Sequence, residues 1–277
     1  MKLKVCCALF STVIVAGCNT TEHKPIQYKS LIDNSSEKHN SVVFIHGAHL
    51  KGSSWSLVQE NFAKINIPTH IIDLPGRSQL VSPESITITY AAQTMCHELQ
   101  QLPQPLSLVV HSQGGAIAHK TLTLCNDIKV NDIVYISAVA PINGAKPFSL
   151  LSKEDEKNYF AGVKYENGWM KISDKPAFLS TFTDTQSAKL QKMVMTNSVD
   201  EPAITGEGKV QLEKAALNEI SKSYIYAKND KIISFESQQR IAQSIGIKNT
   251  YTINSGHLPM ITQPDELSKA IVAALKL

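Results

Sequence analysis

The sequence predicts an α/β fold: a mostly parallel central sheet with helices on both faces. Two observations carry this. Short apolar, β-branched runs alternate with helix-length segments, as parallel strands joined by crossover helices do. The runs are also near-continuous in apolar residues, as strands covered on both faces are. They are Val42 to Ile45, His70 to Ile72, Leu106 to Val110, Ile133 to Ser137, Tyr224 to Tyr226 and Tyr251 to Ile253. Helices are expected at about Ser54 to Lys64, Tyr90 to Leu102, Gly115 to Cys125, Ser234 to Ile245 and Pro264 to Leu275. The last opens on Pro264, Asp265 and Glu266, a proline in the first turn followed by acids facing the helix dipole.

The alternation breaks over residues 141–216, a polar stretch with scattered large apolar side chains. A structureless loop of that length does not suit a compact domain. It reads as a mostly helical cap inserted between a first core part, 41–140, and a second, 217–277. Its large residues Phe148, Phe160, Trp169, Met170, Phe178, Phe182, Met193 and Met195 are expected to turn towards the sheet and a pocket beneath it. The other reading of this stretch is an outer helical layer with no role towards substrate.

Composition fits a globular protein: of 277 residues 43% are apolar and 18% charged. Lys2 and Lys4 belong to the leading segment, which leaves 25 basic side chains against 24 acidic ones. No basic stripe is present, so nothing points to nucleic acid. Residues 1–17 read as an export signal: a positive start, an apolar core and the small-residue stop Val15-Ala16-Gly17 before Cys18. The apolar run is shorter than the roughly 20 residues of a membrane span. Val15-Ala16-Gly17-Cys18 resembles a bacterial lipobox, which implies lipidation of Cys18, a flexible tether to residue 40 and anchoring in the cell envelope, at the inner or outer membrane. A plain secretory signal with an incidental Cys is the alternative.

The folded part retains Cys96 and Cys125. An oxidising compartment permits a bridge between them, and two free buried thiols are equally ordinary. The nine His are scattered without ligand spacing, so no metal site is expected.

The chemistry is concentrated at four stations. Val110-His111-Ser112-Gln113-Gly114-Gly115 follows an apolar strand and opens a helix, the setting of a nucleophile elbow. Such a turn lifts the Ser112 hydroxyl clear of the sheet and offers backbone N–H groups to a developing oxyanion. Val110 stands where the G-x-S-x-G pattern has its first Gly, and strain is expected there. The first strand ends in His46-Gly47-Ala48, which makes the Ala48 N–H, with that of Gln113, a candidate oxyanion hole. Each such donor is worth roughly 3–4 kcal/mol of transition-state stabilisation. Asp230 follows the strand ending at Ala227, and His257 follows the last strand. Ser112, Asp230 and His257 therefore stand at successive strand ends in the order nucleophile, acid, base.

These residues, with Trp55, Asp73-Leu74-Pro75-Gly76-Arg77-Ser78 and His257-Leu258-Pro259-Met260, resemble the α/β-hydrolase superfamily, and within it the branch of plant methylesterases, hydroxynitrile lyases and related bacterial esterases. The resemblance covers about residues 41–140 and 217–276. It implies a serine hydrolase with a catalytic triad, an oxyanion hole and a capped apolar pocket, acting on a small-molecule ester without metal or organic cofactor. Short- to medium-chain or small-alcohol esters are the expected substrates, with amide and thioester hydrolysis as alternatives. Lyase chemistry is disfavoured because Gly47 lacks the hydroxyl, and Leu258 the lysine cation, that the lyases carry there. A non-catalytic binding lipoprotein on the same scaffold is a third reading.

Around the site, His49 and Trp55 either border the substrate or cover the first helix. Phe148 and Trp169 are the cap's leading pocket candidates. His111 is read as packing the scaffold, His119 as a scaffold or surface residue, and Asp73 and Arg77 as fixing their loop. The sequence says nothing of oligomeric state.

Overall fold

A computed structural model describes residues 40–77 and 81–277. The export signal, Cys18, the tether to residue 39 and Ser78 lie outside the described residues. Among the described residues no helix is long and apolar enough to cross a membrane.

The chain enters through β1 (Ser41–Ile45), a 3-10 turn at Gly52–Trp55 and α1 (Ser56–Lys64). β2 (Thr69–Ile72), α2 (Ile88–Gln100), β3 (Leu106–His111), α3 (Gly114–Leu124) and β4 (Val130–Ile136) follow. After the cap come β8 (Ser221–Ala227), α7 (Phe235–Ser244), β9 (Asn249–Ile253), the short α8 (Pro259–Thr262) and α9 (Pro264–Leu275). Six strands form one sheet in the order β2-β1-β3-β4-β8-β9, and every neighbouring pair is parallel. β1, β3 and most of β4 are buried, because helices cover the sheet on both faces. α1 packs on α9 and α2 on α3. Right-handed crossovers put these pairs on opposite faces, since the chain reverses direction across the sheet after β2.

That reversal places the topological switch point between β1 and β3, the position where open parallel sheets leave a crevice at their carboxyl edge. Ala48 lies just past β1 and Ser112 just past β3, so both open onto it.

The cap contains α4 (Lys153–Ala161), β5 (Val163–Glu166), β6 (Trp169–Ile172), α5 (Lys175–Phe182), α6 (Ala188–Asn197) and β7 (Glu201–Pro202). It is therefore not simply helical: β5, β6 and β7 form a three-stranded antiparallel sheet. The turn between β5 and β6 is Asn167-Gly168, both at positive φ (50° and 82°). Asn-Gly is the strongest short hairpin signal because a two-residue type I′ turn needs that conformation twice. α4 begins at a capping box in which the Ser152 hydroxyl accepts the Asp155 N–H and Asp155 accepts the Ser152 N–H.

Cys96 and Cys125 are joined in a disulfide that ties α2 to the C-terminal end of α3. The boundaries expected for the first helix shift: Ser54 and Trp55 belong to the 3-10 turn, where Trp55 is buried and stacked on Phe44 with ring centroids 4.9 Å apart.

Candidate active site

β3 runs regularly through Val110, which pairs with Ile45 on one side and Tyr135 on the other and is fully buried. The strained residue is Ser112 itself, with φ at +51°. The turn closes tightly because Gly114 lets the backbone approach: a Cβ there would stand 2.6 Å from His46 O. Gly47 serves the neighbouring strand end in the same way, since its Cβ would meet Ser112 Cβ at 2.5 Å. The elbow thus needs small residues on both sides of Ser112, while the Val110 position tolerates a strand residue.

His257 Nε2 lies 3.0 Å from Ser112 Oγ, and His257 Nδ1 lies 2.6 Å from Asp230 Oδ2. All three side chains are buried. Asp230 is held from behind: its Oδ1 accepts the N–H groups of Ile232 (2.7 Å) and Ile233 (3.0 Å), and its Oδ2 also accepts the Ser137 hydroxyl. With Nδ1–H given to Asp230, Nε2 is left as the acceptor facing the Ser112 hydroxyl, the tautomer a general base requires. His111 Nε2 donates to the backbone carbonyl of His257 at 2.8 Å, tying the loop that carries the imidazole to the elbow. Burial pushes the His111 ring well below the usual histidine range, so it stays neutral.

Ser112, His257, Ala48 and Gln113 all border a cavity of about 530 Å3. Among the described residues the backbone N–H groups of Ala48 and Gln113 donate to no protein acceptor. From the cap come Phe148, Tyr159, Phe160, Met170 and Phe182, and Ile232 and Ile233 close the side next to Asp230. Phe182 presents an edge-to-face contact to the His257 ring at 5.7 Å.

Several expected pocket residues lie elsewhere. Trp55 is in the core against Phe44, because the 3-10 turn before α1 directs that large ring onto β1. Trp169 is not on the cavity wall; alternation along β6 gives that place to its neighbour Met170. Phe178 is fully buried behind Phe182, on which it stacks at 4.0 Å, and Met193 and Met195 pack against the core rather than the cavity. His49 sits one layer back: its Nδ1 donates to Val199 O at 3.0 Å and its Nε2 accepts the Tyr159 hydroxyl at 2.8 Å. Burial lowers its pKa to about 4. His119 is likewise buried, between Tyr135 Oη and Pro141 O.

Asp73 fixes its loop by accepting the Gly52 N–H at 2.8 Å. Arg77 reaches further. It is fully buried and pairs with Glu201 of β7 at 2.6 Å, a residue the sequence does not single out. Tyr159, Ser137, Ile232 and Ile233 were equally unmarked. The Ile pair alone had a local signal, two apolar residues directly after the acid's loop.

The family model described as "Alpha/beta hydrolase family" matches residues 42–270. No curated protein matches the chain in sequence. Among solved structures, a pyrethroid hydrolase from Sphingobium faniae JZ-2 is similar at TM-score 0.73 and 18% identity, covering 86% of this chain and 97% of that one. An extracellular alpha/beta-hydrolase from a Paenibacillus species is similar at TM-score 0.74 and 20% identity, covering 85% and 99%. Polyneuridine aldehyde esterase is similar at TM-score 0.74 and 17% identity, again covering 85% and 99%. These likenesses cover most of this chain, and at such identities they speak to the fold. Since the family model spans both parts of that core and the cap between them, this chain belongs to the alpha/beta hydrolase family.

Proposed function

We propose that this protein is a serine esterase that cleaves carboxylic esters of short to medium chain, or of small alcohols, through an acyl-enzyme. The observation that carries this reading is the unbroken hydrogen-bonded line from Asp230 through His257 to Ser112, ending at a cavity beside the N–H groups of Ala48 and Gln113, which have no acceptor among the described residues. One of the similar solved structures, polyneuridine aldehyde esterase, is itself named for ester cleavage.

In this mechanism Ser112 Oγ adds to the ester carbonyl carbon as His257 Nε2 takes its proton. The carbonyl oxygen becomes an oxyanion facing the N–H groups of Ala48 and Gln113, and Asp230 stabilises the imidazolium. Collapse breaks the bond to the alkoxy oxygen, which leaves with the proton from His257. Water then gives a proton to His257, attacks the acyl carbon and releases the acid, restoring the Ser112 hydroxyl. A cavity of about 530 Å3 with aromatic and aliphatic walls suits a small apolar ester.

The test is a panel of p-nitrophenyl esters from acetate to laurate, with folded Ser112→Ala as control. Turnover that disappears in the control and declines beyond octanoate is expected. A well-folded parent without turnover would overturn the hydrolase reading, and a preference for long chains would overturn the substrate class.

The proposal extends to location: Cys18 carries diacylglycerol and tethers the enzyme in a bacterial cell envelope. Incorporation of labelled palmitate into the parent and not into Cys18→Ser is expected; equal labelling of both would remove the anchor.

A further inference from the structure

Arg77 and Glu201 form a buried ion pair that, with two further hydrogen bonds, joins separate segments of the fold, while a third bond anchors Arg77 within its own loop. Arg77 Nη1 donates to Pro75 O at 2.6 Å, and Nη2 donates both to Glu201 Oε1 at 2.6 Å and to Gln113 Oε1 at 3.2 Å. The other carboxylate oxygen, Glu201 Oε2, accepts the His49 N–H at 3.2 Å. The two side chains are 0% and 3% exposed. Withdrawing two charges from water is costly, and packed apolar side chains in their place are often as stable or more so. Stability is therefore a poor reason for this pair.

Its contacts supply a better one. Gln113 provides one proposed oxyanion donor through its backbone, and Arg77 holds its side chain. Ala48 provides the other, and Glu201 holds the very next N–H, that of His49. A single ion pair thus grips both edges of the hole, and its acidic half arrives on the cap.

We infer that Arg77 and Glu201 are positioning residues for the oxyanion hole, so that the cap takes part in forming it. The inference rests on the esterase reading above. Neither residue handles the reacting atoms; they hold the peptide units that do. The pair consequently acts on the tetrahedral species more than on bound substrate, and misplacing donors by about 1 Å costs on the order of 100-fold in rate.

The experiment uses the full chain in detergent, with p-nitrophenyl butyrate as substrate and an alkyl trifluoromethyl ketone as inhibitor. The ketone adds Ser112 Oγ at its carbonyl carbon while His257 takes the proton, leaving an oxyanion in the hole. In folded Glu201→Gln and Arg77→Lys, kcat is expected to fall about 10- to 100-fold with KM little changed, and ketone affinity to fall in parallel. Gln113→Leu, which keeps the backbone donor but removes the Arg77 contact, is expected to behave alike and serves where an ion-pair variant fails to fold. Folded variants with parental kcat, or with lowered kcat and undiminished ketone affinity, would overturn the inference alone. A folded parent that neither turns over ester nor binds the ketone would overturn the esterase reading, and this role with it.

Discussion

The Ser137 hydroxyl donates to Asp230 Oδ2, the same oxygen that accepts Nδ1–H of His257. Ser137 stands just past β4 with φ at +37°, so the end of a third strand braces the acid while β8 delivers it. The Asp230 carboxylate then has four donors around it, two of them the backbone N–H groups of Ile232 and Ile233. Removing one charge-assisted bond of this kind costs about 1.5–3 kcal/mol. Ser137→Ala is expected to lower the urea midpoint accordingly and to reduce kcat by loosening the acid. Unchanged stability and kcat would show that the remaining three donors suffice.

The disulfide gives a contrasting case. Cys96 and Cys125 close a loop of 29 residues at the far end of α3 from Ser112. Chain-entropy arguments assign such a loop about 3–4 kcal/mol. Cys96→Ser/Cys125→Ser is expected to lower Tm while leaving kcat at 25 °C near that of the parent. A matching loss of kcat would mean that α3 transmits the bridge to the elbow.

What was legible in the sequence divides along physical lines. β1 and β3 were readable because buried parallel strands are continuous apolar runs, Ser112 because it follows such a run directly, and Asp230 and His257 because they stand three and four residues past strand ends in the order acid, base. The cap sheet was missed although Asn167-Gly168 announces its hairpin, since β5 and β6 have four residues each and mix charge with apolar side chains. Glu201 had no local mark at all. A carboxylate in a polar stretch becomes special only by meeting Arg77, 124 positions away in the chain. Trp55 and Trp169 illustrate the reverse error: a large ring suggests a pocket, and packing decides where the ring goes.

Met170 makes the cavity's size testable. It lines the wall from β6 and is only partly buried, so a larger ring can be accommodated without disturbing the core. Met170→Trp is expected to lower kcat/KM for p-nitrophenyl octanoate by at least about 10-fold more than for the acetate, one or two methylenes being worth about 1–3 kcal/mol in an apolar pocket. Equal effects on both esters would place the acyl chain along another wall.

Acid sensitivity follows from the buried histidines. Burial lowers His49 and His119 to about 4, and lowers His46 and His111 as well. Unfolded, each titrates near 6.5. Between about 6.5 and 4 the unfolded chain therefore binds protons that the folded protein refuses, and stability rises with pH across that window. Each such group contributes a slope approaching about 1.4 kcal/mol per pH unit. Stability is complete above the unfolded value and is lost as the solution is acidified. Burial raises the Glu201 carboxyl despite Arg77, so this one group works against the trend, favouring the folded state as pH falls, while four histidines act together in the other direction. Urea midpoints are expected to fall steeply from pH 7 to pH 5. His119→Gln, which keeps a polar group between Tyr135 and Pro141, is expected to be less stable at pH 7 but to show a shallower decline. A parental profile that is flat from pH 7 to pH 5 would mean that these imidazoles take up protons in the folded state.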